Sequence, residues 1–539
     1  MPPTSIIMRI SYLLFIVLLL IVSGSCNNSN NKNIKRDKTI TVLTSFNNLF
    51  LDSTQIKGFV DSHTEFKSFE KQFKDFYKER NYEYAWFDTS GPGEQASGFI
   101  NLLNSTISNQ QDSSLYNAPL YELYNNFSNS SGTKHKAGEV LNTELSLTGQ
   151  FFVYAARMYK GTDSSITDLG WFIPRKKVNL AALLDSVILS KTKAADDFAP
   201  LNDEYKRLKE FLPVYFKLQQ TTRWDSIAKP EKSIHPGESS PVILIIRDRL
   251  YKLGDLAKTD SSNVLDSILV TAVKSFQRRM GLGVDGAIGA KMIDELNITP
   301  AQRTQQILVN LERMRWMPPQ HDSNYIFVNI PEYKMYVYTA DTLTFSMNVI
   351  VGTAANSTVI FSGNVKNIVF SPYWKVPVKI VKNEIIPGIR KNPNYLATHN
   401  MERIGGSDSL PSIRQKPGPS NSLGRVKFLF PNNYDIYFHD TPNRNLFSAS
   451  SRSFSHGCIR VGEPKHLAQY LLRNDTVWTD YRMDTAMNNS KETWVTLKKP
   501  VPVVIAYFTA WADKNGVLNF RKDIYGHDAK LADKLFVKQ

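Results

Sequence analysis

The stretch that decides how this chain is read is His439–Val461, HDTPNRNLFSASSRSFSHGCIRV. It closes the segment YDIYFH, where apolar and polar residues alternate up to His439. DTPN is a turn signal, so a strand should carry His439 at its tip. Further on, SHGC sets Cys458 between Gly457 and Ile459, two residues after His456. A cysteine nucleophile needs a nearby base, and the base needs an orienting acceptor. A strand ending in FHD beside a loop carrying SHGC would bring imidazole and thiol together. Gly457 would let the backbone approach a substrate and present N–H groups to a developing oxyanion. Two other readings stay open. His439, His456 and Cys458 are residue types that zinc accepts, although zinc sites more often use two separated ligand pairs. Cys458 could also be a small buried hydrophobe.

The N-terminus bears on that choice, because the only other cysteine of the 539 residues is Cys26. Residues 1–25 read as a signal peptide: Arg9 precedes an apolar run from Ile10 to Val22, and Ser23, Gly24 and Ser25 follow. The run is shorter than the roughly 20 residues needed to span a bilayer. Cys26 directly after the small residues resembles a bacterial lipoprotein cleavage site. That makes Cys26 the lipidated first residue of the mature chain, residues 26–44 a flexible tether, and the periplasm the compartment, with the protein anchored to a membrane. Plain secretion with Cys26 free or removed is the alternative. Either way Cys458 lacks an intramolecular partner. Exported proteins usually pair cysteines or avoid them, so a lone interior thiol points to chemistry.

The same stretch closely resembles the signature of the L,D-transpeptidases, cysteine enzymes that remodel peptidoglycan: a His, a spacer, then Ser/Thr-His-Gly-Cys. Many members carry Asn two residues after the cysteine; here it is Arg460, as in the large Gram-negative multidomain branch. SPYWKVPVKIVKNEIIP, RQKPGPSNSLGRVKFLFPN and YFTAWADKNGVLNFRKDIYGHDAKL are similar to further blocks of that catalytic domain. The resemblance implies a mainly β, sandwich-like catalytic domain over 323–510, and YIFVNI, KMYVYT, TFSMNVIVG, VKNIVFS and VKFLF are strand-like by alternation. Residues 395–423, which show neither helical nor strand periodicity, resemble the loop that caps the active site in relatives. Residues 511–539 should pack on this domain.

FQRRMGLGVDGAIG carries a second signal. It resembles the hallmark of the three-helix peptidoglycan-binding domain, expected over 236–297, and Phe276, Leu282 and Val284 could equally be just the core of a small helical module. QQILVNLERMRWMP reads as a connecting helix within 298–322, ended by Pro318 and Pro319. Residues 45–235 are mostly helical in pattern and resemble the scaffold region of the same branch. Their aromatic residues, such as Tyr82, Trp86 and Tyr154, read as core. The Ser/Asn-rich runs STISNQQDSS and NNFSNSSGTKHKAG read as loops. The expected class is therefore multidomain α+β.

The resemblance also implies roles. Cys458 is the nucleophile, His439 the general base and acid, and the Asp440 backbone carbonyl the orienter of the His439 ring. Backbone N–H groups of Gly457 and Cys458 hold the oxyanion. Ser455, His456, Arg460, Arg452, Tyr437 and Trp374 are candidates for shaping the groove or binding substrate, and for Arg460 a buttressing salt bridge is the competing reading. The donor is a tetrapeptide stem, and a neighbouring diaminopimelate amine resolves the acyl-enzyme into a 3→3 cross-link. Carbapenems are expected inhibitors, and no metal or organic cofactor is required. An L,D-carboxypeptidase of the same fold and a non-catalytic wall-tethering lipoprotein are the alternatives. The net charge of +15 suits weak attraction to anionic stems or a membrane surface. No nucleic-acid motif accompanies it, and export excludes that partner.

Overall fold

The computed structural model describes residues 49–536, apart from 111–112, 129–134, 162–166, 176, 190–200 and 319–321. The signal-like segment, Cys26 and the tether lie outside the described residues. These fall into two compact units, one within Met1–Asn104, Leu115–Tyr154 and Asn179–Ala199, the other within Ser105–Ser114, Ala155–Val178 and Pro200–Gln539. No helix among the described residues is long and apolar enough to cross a membrane.

The first unit is helical. Asp52 caps Ser53–Ser62 through a capping box with Gln55, and Glu70–Glu79 follows with Phe73, Phe76 and Tyr77 on its buried stripe. Phe59, Phe66, Phe73, Phe151 and Phe152 fill the centre. Glu144 is fully buried there, accepting from Ala85 N at 2.7 Å, Trp86 N at 2.9 Å and the Tyr77 hydroxyl at 2.8 Å. Burial raises its pKa. Trp86 and Tyr154 are core residues as expected, whereas Tyr82 sits half-exposed in a positive-φ turn. Residues 105–110 of the expected loop STISNQQDSS instead continue the helix Glu94–Gln110. Polar residues cover a helix as readily as a loop when only one stripe faces a core. The expected helical region 45–235 divides between the units, since Asp203–Lys209 and Leu212–Thr221 fall in the second.

The second unit contains the three helices Val242–Lys252, Ser267–Arg279 and Ala290–Asn297. Phe276 is in their core, but Val284 is exposed, so the core expectation fails at that residue, which lies in the turn. The turn is organised by Gln277, which donates to Asp285 Oδ1 at 2.6 Å and Ala287 O at 2.9 Å and accepts from Gly286 N at 2.9 Å. Thr299 then caps the helix Pro300–Trp316 with Gln302. The helix ends at Met317, which is extended, as a following Pro318 requires.

Beyond it lies a sheet ordered Val426–Leu429, Phe438–His439, Ile459–Val461, Thr342–Gly352, Lys334–Thr339, Tyr325–Asn329, Thr493–Ala506, Ile360–Phe370 and Trp171–Phe172. Val426–Leu429 also pairs with Ile360–Phe370, so eight strands close on themselves and most of the sheet has no free edge. Val328, Met335, Val349, Ile368, Phe438, Ile459 and Ile505 are among its buried residues.

Residues 395–423 were expected to be irregular, and here the structure differs. Met401–Gly406 and Pro411–Gln415 form a hairpin joined to Trp374–Lys375, preceded by a helical stretch from Val378 to Lys391 with a π segment at Val381–Ile385. Val376, Val381, Ile385 and Ile413 give this segment its own small core. The alternation was hidden because its Pro411, Ile413 and Gln415 face inward with only one strongly apolar residue among them.

Candidate active site

The site is built where the short strands Phe438–His439 and Ile459–Val461 run parallel, with Phe438 opposite Ile459 and His439 opposite Arg460. Side chains alternate across a strand. Phe438 and Ile459 are fully buried on one face, so Tyr437, His439, Cys458 and Arg460 share the other.

His439 is buried, and its Nδ1 donates to the Asp440 carbonyl at 2.6 Å. A carbonyl can only accept, so the proton sits on Nδ1 and Nε2 keeps its lone pair. Asp440 is itself fixed: its carboxylate accepts from Arg425 N at 2.9 Å, Thr441 N at 2.6 Å and Arg444 Nη2 at 2.5 Å. Gly424, at φ +63°, lies so close to that carboxylate that a Cβ would collide with it. Burial, and then the Arg460 charge, depress the His439 pKa to about 3, so the ring is neutral at neutral pH.

The Cys458 thiol donates to Asp435 O at 3.4 Å. Burial raises its pKa; the neighbouring Tyr437 and the Arg460 charge pull the other way. The Tyr437 phenol is in turn raised well above its ordinary value, mainly by burial and the neighbouring thiol. Thiol and imidazole therefore rest as a neutral pair, the base free of its proton and the nucleophile holding its own. Among the described residues no hydrogen bond links the two.

The loop is held from both sides. Gly457 takes φ +115°, a conformation that favours glycine. Its N–H donates to Ser455 Oγ at 3.2 Å, and Ser455 Oγ donates to Cys458 O at 2.5 Å. Two expectations are corrected here. The Gly457 N–H is already taken within the loop, so Gly457 contributes its conformation while the Cys458 N–H, which no described residue accepts, is the amide open to an oxyanion. Ser455 braces the loop rather than meeting substrate.

Arg452 needs a similar correction. Its guanidinium donates to Ala449 O at 2.6 Å, Tyr333 O at 3.1 Å and Val349 O at 3.3 Å, so it is committed to the main chain. Trp374 packs against the small core of Val376, Val381, Ile385 and Ile413. His456 is exposed, with Nε2 at 3.6 Å from Glu384 Oε1. Among the described residues no group of three or more His, Cys, Asp or Glu is gathered as a metal would need. Arg460 has a buried Nε without a protein partner, so the salt-bridge reading fails for that nitrogen. The sequence does not mark Asp435, whose carbonyl meets the thiol from a positive-φ position, or Thr358, which donates to Gly457 O at 2.8 Å.

Residues 323–479, which contain this arrangement, match the family model for the L,D-transpeptidase catalytic domain. This part of the chain is similar to L,D-transpeptidase catalytic domains. Residues 71–212 match a scaffold domain and residues 239–296 a "Putative peptidoglycan binding domain". A Haemophilus influenzae protein described as a "Putative L,D-transpeptidase" is 34% identical over 244 residues, 42% of this chain and 49% of that relative. The match thus spans about half the relative's length. Among solved structures, an L,D-transpeptidase from Stackebrandtia nassauensis aligns at TM-score 0.21 and 14% identity over 52% of this chain and 97% of its own. One from Mycobacterium smegmatis aligns at 0.19 and 12% over 34% and 58%.

Proposed function

We propose that this chain is a peptidoglycan L,D-transpeptidase that works through an acyl-enzyme on Cys458 and forms 3→3 cross-links between stem peptides. The observation that carries the reading is the register of Phe438–His439 with Ile459–Val461, which sets an imidazole with a free Nε2 on the same face as a lone thiol. Because the pair rests neutral, proton transfer accompanies attack: the S–H proton passes to His439 Nε2 as sulfur bonds to the carbonyl carbon of the third stem residue. The carbonyl oxygen takes the negative charge and is held by the Cys458 N–H. Collapse breaks the C–N bond, and His439 gives its proton to the departing D-Ala amine. The side-chain amine of a second stem then attacks the thioester, losing a proton to His439, and the thiol is restored. Arg460, with its partnerless buried Nε, is the group we assign to a stem carboxylate, and Tyr437 steadies the sulfur.

The helical module matching a peptidoglycan-binding domain supports wall binding. Cys26 supports a lipid anchor and a periplasmic location, and Cys26→Ser should release the protein from membranes. Incubating purified sacculi with the protein tests the reading: 3→3 dimers are expected. Tripeptides trimmed without dimers would make it an L,D-carboxypeptidase, and unchanged sacculi would leave only a wall-tethering protein.

A further inference from the structure

The peptide unit joining Gly457 to Cys458 is planar, so whatever fixes the Gly457 carbonyl also aims the Cys458 N–H on the opposite side. Gly457 lacks a Cβ to bias its own backbone, so the aim must come from outside. Thr358 is 1% exposed and donates its hydroxyl proton to Gly457 O at 2.8 Å. The Thr358 hydroxyl oxygen itself accepts from Gly352 N at 2.9 Å, which sets the rotor. The Thr358 main chain is held by Tyr525, whose hydroxyl accepts from Thr358 N at 3.3 Å and donates to Gly352 O at 2.7 Å. A Cβ at Gly352 would collide with the Asn356 carbonyl, so the turn between these residues can close only over glycine. Tyr525 is fixed in turn: its N–H donates to the Tyr507 hydroxyl at 2.9 Å, which donates to Asp523 Oδ1 at 2.6 Å.

We infer that Thr358, braced by Tyr525, is a positioning residue that aims the Cys458 N–H at the oxyanion; this rests on the acyl-enzyme reading above. Ser455 holds the loop from within, and Thr358 holds it from a turn about a hundred residues away. The C-terminal segment, through Tyr525, thereby reaches the reacting amide without touching substrate.

Two reactions at one sulfur separate this role from mere structural support. Alkylation by iodoacetamide forms an S–C bond and expels iodide, with no oxyanion. Acylation by a carbapenem opens the strained lactam through an oxyanion. Thr358→Val keeps shape and removes the hydroxyl. It should slow carbapenem acylation about 10- to 100-fold, below the roughly 100- to 1000-fold cost of deleting an oxyanion donor, and leave alkylation within about two-fold. Thr358→Ser should recover most of the acylation rate, and Tyr525→Phe should lose a smaller share with alkylation again unmoved. Parallel loss of both reactions, no loss of either, or failure of Thr358→Ser to recover would overturn the assignment. If Thr358→Val does not fold, the acylation-to-alkylation ratio of Tyr525→Phe and Thr358→Ser decides it. The wild-type protein is measured first: alkylation at Cys458 without acylation by carbapenem or tetrapeptide would sink the acyl-enzyme reading itself, a separate outcome.

Discussion

Two glycine-bearing turns of this molecule are held in different ways. In the three-helix module Gly286, at φ +79°, is fixed by Gln277, which satisfies three backbone and side-chain groups of the turn from the helix just before it. In the catalytic loop Gly457, at φ +115°, has one support inside its own motif, Ser455, and the rest outside it. Thr358 comes from a distant turn, Asp435 and Tyr437 from the segment leading into the neighbouring strand, and His439 from a pairing register. A turn that only has to exist can carry its own scaffold within a few residues. A loop that must aim a nucleophile, a base and an amide at one point needs supports from several directions. The two can therefore be broken separately.

The largest expected effect lies in the catalytic loop. Cys458→Ala should abolish both cross-linking and the covalent carbapenem adduct, since no neighbouring group replaces the thiol; intact-mass spectrometry checks this. An adduct that persists would move the nucleophile elsewhere. His439→Ala should slow acylation by roughly 100-fold or more, the usual scale for losing a general base. The resting protonation state adds a sharper check. The thiol pKa is raised by burial, so alkylation of wild-type Cys458 should keep accelerating above pH 8.5, the ordinary range of a free thiol. A plateau near neutral pH would mean a standing thiolate–imidazolium pair.

The same imidazole links pH to stability. His439 and His527 are held at about 3 and about 4 in the fold, chiefly by burial, while an unfolded imidazole binds a proton below about 6.5. The unfolded chain therefore binds more protons as pH falls, and stability should drop between about pH 6.5 and pH 4, by up to about 1.4 kcal/mol per pH unit for each group. Urea unfolding of His439→Gln across that window should show a shallower fall. An unchanged slope would mean that the ring is not held neutral in the fold.

What the sequence disclosed follows the same division. Cys458 and His439 were legible because a lone interior thiol and a strand-tip histidine are local signals, and the Asp440 carbonyl was implied by the family resemblance. The helices and the Gln277 turn were legible for the same reason. Ser455, Arg452 and Trp374 were placed against substrate, yet their partners are loop carbonyls, Tyr333 and Val349 main chain, and the small core around Val381. Which of several polar residues near a nucleophile face outward depends on register, and one residue of slip exchanges the two faces. Thr358 and Tyr525 were invisible because nothing near them in the chain marks a contact so far away.

The comparison predicts that damage to the module's turn stays local. Gln277→Ala removes a buried amide and leaves Gly286 N and Ala287 O without their partner, which should cost about 1–3 kcal/mol. Hydrogen exchange should rise across 267–297, while carbapenem acylation of Cys458 stays within about two-fold, far below a general-base effect. Acylation falling along with module stability would show that the catalytic loop draws support from the module as well.

The smallest effect should come from the contact between the catalytic loop and the segment carrying Glu384. His456 and Glu384 approach to 3.6 Å, but each side chain is 54% exposed, and exposed ion pairs contribute about 0–1 kcal/mol and weaken with salt. Glu384 lies in the π segment Val381–Ile385, a distortion found most often at functional sites. Glu384→Gln keeps size and hydrogen bonding and removes the charge. We expect acylation to change by less than about three-fold, within the range of a surface pair, at both low and high salt. His456→Ala should behave the same way. A loss above about ten-fold, more than 1 kcal/mol of transition-state stabilisation, would mean that the pair is desolvated when a stem peptide binds. The catalytic loop would then depend on the π segment as it does on Thr358.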